Sequence, residues 1–316
     1  MSETVLVTGA TGLIGSNLIN YLLDNNYKVI GLVRNIEKAK KKLPENNNLS
    51  FVIGDITEPI DIPDKVDYIV HGASNTSSKA FIDEPVEIIN TAIQGTKNML
   101  ELAKEKKVKS FVYLSSMEVY GCPLTDEKIY ETHSTNLNTM SVRSSYPESK
   151  RMCESLCTAY YKEYGVPVKV IRLTQTFGKG VEYNDSRVFA EFARCAIEGR
   201  DIVLHTKGET KRCYLSIDDA VSAIMTVMLN GMNGEAYNAA NEETYCSIYE
   251  MAQLVAHECA DDKISVRIEI EDESKYGFAP VLRMNLDTSK LRLLGWKANK
   301  SLINMYFVLM EYFKLK

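Results

Sequence analysis

Along the first half of the chain, short runs in which nearly every position is apolar alternate with longer stretches whose apolar residues recur every three or four positions. Runs that are apolar throughout suit strands buried on both faces of a sheet, and the three-and-four spacing is the helical period. The pattern predicts strands over Thr4 to Thr8, Lys28 to Val33, Leu49 to Gly54, Tyr68 to Gly72, Ser110 to Ser115 and Val168 to Arg172. It predicts helices over Gly12 to Asn25, Val86 to Lys106 and Glu148 to Tyr164. Such alternation builds an α/β fold, a doubly wound parallel sheet covered by helices on both faces. After Arg172 the alternation loses its regularity and loops lengthen. We therefore expect a first domain over 1–173 and a smaller mixed α/β C-terminal lobe over 174–316. Because Asp218 to Leu229 still reads as a helix, about 213–240 should return to the first domain. Asp287 to Leu294 reads as a short helix stopped by Gly295, and Leu302 to Met310 as a packed amphipathic helix.

At 316 residues the chain has room for one large core and a smaller lobe, since single cores stop growing at roughly 250 to 300 residues. A net charge of −5 provides no general attraction to nucleic acid or an anionic membrane, so an anionic ligand must be met by locally placed cations. The tail stretch carries Asn304 and falls short of the roughly 20 residues of a membrane span. The N-terminus lacks a basic region leading into an apolar leader, and a cytoplasmic protein is expected. The cysteines (Cys122, Cys153, Cys157, Cys195, Cys213, Cys246, Cys259) are odd in number, contain no C-x-x-C pair and read as reduced thiols. The histidines (His71, His133, His205, His257) are scattered, and no metal site is expected.

Chemistry enters at Val5-Leu-Val-Thr-Gly9-Ala-Thr-Gly12-Leu-Ile-Gly15, directly after a buried strand and before a helix. Gly9 permits a sharp turn, Gly12 lets backbone amides approach a pyrophosphate, and Gly15 lets helix and strand pack closely, with the helix N-terminus facing the anion. This is a Rossmann-type dinucleotide loop, with Thr11, Leu13 and Ile14 in the same contact set, and the cofactor is NAD or NADP. The three-residue glycine spacing resembles the short-chain dehydrogenase/reductase superfamily. At the end of the second strand, Val33-Arg34-Asn35 has no carboxylate for a ribose 2′-hydroxyl. Arg34, with Lys38 and Lys40 to Lys42 following, is either a 2′-phosphate site or a solvated basic face. The resemblance implies that Asp55 and Ile56, after the third strand, meet the adenine, and that Gly72, Ala73 and Ser74 line the cofactor.

Tyr146-Pro147-Glu148-Ser149-Lys150 puts a phenol and an ammonium four residues apart, on one face of a helix. A neighbouring ammonium favours the phenolate of a tyrosine whose unperturbed pKa is near 10, which is what an acid/base residue needs. Ser145 and Glu148 form an S-x-x-E capping pattern, and Pro147 in the first turn places Tyr146 at the helix start, open to a substrate. Upstream, the strand Phe111-Val-Tyr-Leu-Ser115 runs into Ser116-Met117-Glu118-Val119-Tyr120-Gly121 at the ligand-binding edge of the sheet. Ser116 is positioned to hydrogen-bond a reacting hydroxyl.

Together the S-S-x-x-V-Y-G strand, the Y-x-x-x-K pair, the Arg172-Leu-Thr-Gln-Thr-Phe-Gly178 run and Lys211-Arg212-Cys-Tyr214 before Asp218 resemble the extended, nucleotide-sugar epimerase/dehydratase/decarboxylase branch of the superfamily. The resemblance implies a nucleoside-diphosphate sugar as substrate, transient oxidation at its C4, and a dinucleotide recycled in place. It assigns Ser116, Tyr146 and Lys150 as the catalytic trio and Gln175, Arg187 and Arg212 as substrate-diphosphate contacts; Tyr183, His205 and Arg283 are candidates to line the second lobe. It also implies a homodimer through the two long helices, with Cys153, Leu156, Cys157 and Tyr160 either as the interface stripe or as core within one subunit. Two departures bear on the reaction. Ala92 stands where the branch's N-x-x-G-T run has asparagine, and Met117-Glu118 stands where dehydratases carry an acidic pair. Without a donor at 117, water elimination is disfavoured, whereas Glu118 alone resembles the UDP-glucuronate decarboxylases. The simplest reading is a 4-epimerase. A hexuronate decarboxylase comes next, then a net 4-dehydrogenase or 4-keto reductase, and from another class a dinucleotide-sensing module without catalysis.

Overall fold

A computed structural model describes residues 2–77, 79–270 and 281–315. The first half comprises β1 (Thr4–Thr8), α1 (Leu13–Asp24), β2 (Lys28–Val33), α2 (Ile36–Lys42), β3 (Leu49–Ile53), β4 (Tyr68–His71), α3 (Ala80–Asp83), α4 (Pro85–Lys106), β5 (Ser110–Ser116), α5 (Ser145–Tyr164) and β6 (Val168–Leu173). There follow β7 (Gln175–Phe177), α6 (Val188–Glu198), β8 (Ile202–Leu204), β9 (Lys211–Ser216), α7 (Ile217–Asn230), β10 (Glu235–Ala239), β11 (Asn241–Ser247), α8 (Ile248–Leu254), β12 (Val266–Ile268), β13 (Arg283–Met284), α9 (Ser289–Arg292) and α10 (Leu302–Lys314).

A parallel sheet of order β3-β2-β1-β4-β5-β6-β10 forms the centre of the molecule. Strand alternation divides its side chains between two cores. Val5, Val7, Val112 and Leu114 pack with Leu18, Ile19 and Leu22 of α1 and Ile224 and Val227 of α7. Leu6, Phe111 and Tyr113 face the other way, onto Met99 and Leu100 of α4 and Cys153 and Cys157 of α5. This is the doubly wound Rossmann architecture expected from the pattern, and each predicted strand is found with its end shifted by no more than one residue. The second lobe is built on β11-β9-β13, with β7 added to β9, and on the small pair β12-β8. Its core stacks Phe177 on Phe189 and holds Tyr214 and Tyr306, all fully buried. Leu291 and Trp296 belong to the first core, so the chain crosses back to the sheet after α9 begins.

One open alternative closes and two local expectations change. Cys153, Cys157 and Tyr160 are buried between α5 and the sheet, and Leu156 is half-buried against them, so this stripe is core within one subunit. The cysteine thiol of Cys153 donates to the Ala92 carbonyl at 3.2 Å, sealing the α4–α5 contact. The exposed apolar residues of the two long helices are instead Val86, Ile89, Met152, Tyr161 and Tyr164, with the Tyr161 ring lying over Gly234. Second, the short helix closes at Arg292, with Gly295 at φ +88° beyond it. Third, the final helix, started by the Ser301 cap, runs on to Lys314 because its apolar face continues through Phe313.

Beneath the carboxyl edge of the sheet lies a polar network. Arg172 on β6 donates to both oxygens of Glu154 on α5, at 3.0 and 2.6 Å, and to the Tyr120 hydroxyl at 2.9 Å. Ser115 donates to Glu154 at 2.6 Å, and Tyr120 donates to Asn238 on β10 at 2.6 Å. Breaking a buried pair leaves an uncompensated charge. Replacing Glu154→Ala should therefore cost about 3–5 kcal/mol in urea unfolding, whereas a loss below about 1 kcal/mol would mean that water satisfies Arg172.

Candidate active site

Glycine is required where β1 hands the chain to α1. Gly9 adopts φ +70°, and a Cβ there would lie 2.9 Å from the Gly72 carbonyl group; a Cβ on Gly15 would lie 2.2 Å from the Gly9 oxygen. At Gly12 the same construction meets only the Gly9 oxygen, at 3.1 Å, and the residue is exposed. Gly9 and Gly15 thus serve packing, while Gly12 leaves an open approach to the start of α1. Gly12 caps that helix without a side-chain hydrogen bond, so the first-turn amides remain directed at an anion. Thr11, Leu13 and Ile14 are half-buried around this opening. The cradle fits a dinucleotide pyrophosphate.

The loops beside it are tied together by residues that pattern reading missed. Thr8 accepts from the amides of Gly72 and Ala73, both at 3.1 Å, and lies 2.7 Å from Nδ1 of His71. Because its oxygen already accepts twice, Thr8 donates to Nδ1, which assigns the His71 proton to Nε2, 3.3 Å from Thr96. Burial, with help from Lys150, pushes His71 down to about 3, and it is neutral. Gly95 is also required, since a Cβ there would stand 2.4 Å from Ile56. Asn98 donates to the Ile56 carbonyl at 2.8 Å, whereas Ala92 is turned into the core. Ser74 is half-buried at the rim. One Asp55 oxygen accepts from the Thr57 amide and hydroxyl, and the other faces Arg34 at 3.8 Å. The two cofactor-edge candidates therefore meet each other. Asn35 caps α2, and the lysines Lys38, Lys41 and Lys42 line an open groove of about 690 Å³ between α1 and α2.

At the carboxyl edge, Ser116, Tyr146 and Lys150 come together. Tyr146 is the second residue of α5, and its ring stacks on Phe81 at 4.3 Å. Lys150, 4% exposed, donates to the Leu114 carbonyl at 2.8 Å and lies 4.8 Å from the Tyr113 ring and 5.8 Å from that of Tyr146. Burial pushes its ammonium down to about 8. Burial also raises the Tyr146 phenol above its ordinary value; Glu118 adds to this, while Ser116 and Arg143 oppose it. The expectation that the ammonium favours the phenolate is thus outweighed by desolvation. The phenol is buried behind Phe81, which corrects the open placement expected for it. The capping box expected at Ser145 and Glu148 does not form. A 3₁₀ turn over Val142–Ser144 leads straight into α5, so Ser145 donates to the Phe81 carbonyl and Glu148 pairs with Arg151. The same S-x-x-E pattern does make a capping box at Ser247 and Glu250.

Glu118 follows Ser116 in a 3₁₀ turn capped by the serine, and its carboxylate is gripped by Arg143 at 3.1 and 3.2 Å. Of the candidate substrate contacts, Gln175 and Arg212 meet at 3.3 Å, and the Arg212 Nε is buried without a hydrogen-bond partner among the described residues, a donor suited to an anion. Arg187 is engaged by Asp185 at 2.9 and 2.5 Å. Arg283 pairs in register with Lys211 and is held by Asp126 at 2.8 Å, apart from Gln175 and Arg212. Tyr183 bonds to Glu198, and His205 lies half-buried after β8. The described cysteines are all free thiols, no described cluster could hold a metal, and no helix among the described residues is long and apolar enough to cross a membrane.

The family model for the NAD dependent epimerase/dehydratase family matches residues 5–240. The chain belongs to that family. Its members are enzymes. UDP-glucuronic acid decarboxylase 1 of Danio rerio is 31% identical over 93% of this chain and 69% of its own length. UDP-N-acetyl-alpha-D-glucosaminuronate decarboxylase of Bacillus cytotoxicus is 29% identical over 92% of this chain and 91% of its own. Among solved structures, UDP-glucose 4-epimerase of Thermotoga maritima, with UDP-glucose, superposes with a TM-score of 0.83 at 24% identity, covering 99% of each chain. That likeness bears on the fold.

Because His71 is neutral when folded and titrates near 6.5 when unfolded, the unfolded chain binds the extra proton below that pH and stability falls on acidification. Between pH 6.5 and 5, His71→Gln should remove about 1.4 kcal/mol per pH unit from the slope of unfolding free energy against pH. His257, raised by Asp262, works in the opposite direction and stays in both proteins. An unchanged slope would mean that His71 is charged in the folded state.

Proposed function

We propose that the protein is a decarboxylase of a nucleoside-diphosphate hexuronate, acting through transient oxidation of the sugar at C4 with NAD as resident dinucleotide. The observation that carries this reading is the edge of β5: Ser116, Tyr146 and Lys150 converge there beside a lone Glu118, with Met117 buried and unable to donate a proton. The relatives matched over nine-tenths of the chain carry hexuronate decarboxylase names, which supports the same choice. The bound nicotinamide would take one hydride from C4 and later return it. Tyr146 accepts the C4 hydroxyl proton while Ser116 orients that hydroxyl. Oxidation at C4 makes the C5 carboxylate that of a β-keto acid, which releases carbon dioxide without a dedicated acid. A proton then enters at C5, and Tyr146 gives its proton back as C4 is reduced. Lys150 steadies the phenolate and the ribose side of the dinucleotide. Gln175, Arg212 and Arg187 hold the diphosphate; Arg187 must exchange Asp185 for it. Pairing of Arg34 with Asp55 supports NAD over NADP. The exposed Val86, Ile89 and Met152 support a homodimer through α4 and α5, in a cytoplasmic protein.

Incubation with UDP-glucuronate and UDP-N-acetylglucosaminuronate, followed by mass and NMR analysis, should give loss of carbon dioxide with no net change in the nicotinamide. An isomer of unchanged mass from a neutral nucleotide sugar would replace this reading with the 4-epimerase. Tyr146→Phe should lower kcat by about 10²-fold or more while leaving dinucleotide binding intact; retained turnover would remove Tyr146 from the acid/base role.

A further inference from the structure

Between the catalytic tyrosine and Glu118 stands a residue that neither motif contains. Arg143, in the 3₁₀ turn just before α5, donates to Glu118 through Nη2 at 3.2 Å, and its Nη1 stands 3.1 Å from the other carboxylate oxygen as an ion-pair contact without a hydrogen bond. Its guanidinium lies 4.9 Å from the centroid of the Phe81 ring, the same ring on which Tyr146 stacks at 4.3 Å. A planar guanidinium can make a two-point carboxylate contact and an aromatic contact at once; an ammonium cannot do both as well. Arg143 and Glu118 are each about one-quarter exposed, at 27% and 29% of their side chains, so water screens the pair only in part.

We infer that Arg143 is a positioning residue that fixes Glu118 and cancels its negative charge at the Tyr146 phenol. The groups facing that phenol are Ser116 and Tyr113 from β5, Glu118 from the turn that follows, Arg143 from the turn before α5, and Lys150 from α5 itself. Of these, only Glu118 is an acid, and it raises the phenol's pKa while Arg143 lowers it. Lys150 donates to the Leu114 carbonyl, whereas the cation in ion-pair contact with Glu118 is Arg143. The cation that offsets Glu118 is therefore Arg143, and Phe81 keeps it in place beside the ring it serves. The inference rests on Tyr146 acting as the acid/base.

The test is the ionisation of Tyr146 in the NAD⁺-loaded protein, read as the tyrosinate absorbance of each variant minus that of the same variant carrying Tyr146→Phe. This needs no sugar turnover, so an inactive wild type would overturn the proposed reaction without touching the Arg143 result. Arg143→Met should move the midpoint up by about one pH unit, a roughly tenfold change in the ionisation constant. Arg143→Lys should shift it less, and Arg143→Met with Glu118→Gln should bring it back. Glu118→Gln alone should lower the midpoint, which keeps the inference open to refutation if Arg143→Met does not fold. With an active substrate, the acid limb of the kcat profile should move with the same midpoint while KM changes little. An Arg143→Met midpoint equal to the wild type's, or one that Glu118→Gln fails to restore, would overturn the inference and leave Arg143 as a packing residue.

Discussion

The ammonium of Lys150 is the constraint around which the site is organised. Taking a charge out of water is costly unless it is hydrogen-bonded, and here the compensation comes from a main-chain carbonyl, that of Leu114, together with two tyrosine rings. A carbonyl dipole compensates less than a carboxylate does, so the cation stays easy to deprotonate and its field reaches its neighbours. His71 is neutral partly for this reason. A buried cation with no acid of its own is destabilising in isolation. Under the proposed function, the phosphates of a bound dinucleotide and the Tyr146 phenolate would supply the missing negative charge.

Holding that ammonium in place requires α5 to be fixed against β5 and β6, and the Glu154–Arg172 pair does this from below. On the other side, the close contact of Gly9, Gly15 and Gly72 brings the cofactor loop to within a backbone's width of the neighbouring strand. Thr8 and His71 stitch those two loops together with hydrogen bonds made entirely by neutral groups. The dinucleotide cradle and the acid/base helix are thus referred to the same few strand ends, which is how residues far apart in sequence come within reach of one sugar.

Most of the first domain was legible because strands buried on both faces leave long apolar runs and their helices carry the three-and-four period. The glycine loop and the Tyr146–Lys150 spacing were legible for the same reason that they are useful: backbone approach and one-turn separation are local properties. What escaped was non-local or weakly patterned. Strands such as β7, β8, β12 and β13 have three residues or fewer, and β11 reads Asn-Glu-Glu-Thr-Tyr-Cys-Ser, which has no apolar run to find. The S-x-x-E pattern at Ser145 misled because a preceding turn had already satisfied the helix start. Phe81 and Arg143 carried no motif, and only the fold brings them to Tyr146. The net direction at the Tyr146 phenol was not legible, because spacing reports proximity to Lys150 but not desolvation.

The account turns on a hydride that leaves C4 and comes back within one site. The most direct measurement follows a sugar nucleotide deuterated at C4 through a single turnover of the protein carrying its bound dinucleotide. The account predicts that the deuterium is found at C4 of the product, with none in the free dinucleotide pool. Deuterium accumulating in released cofactor, or a product formed with no primary isotope effect on any step, would contradict it.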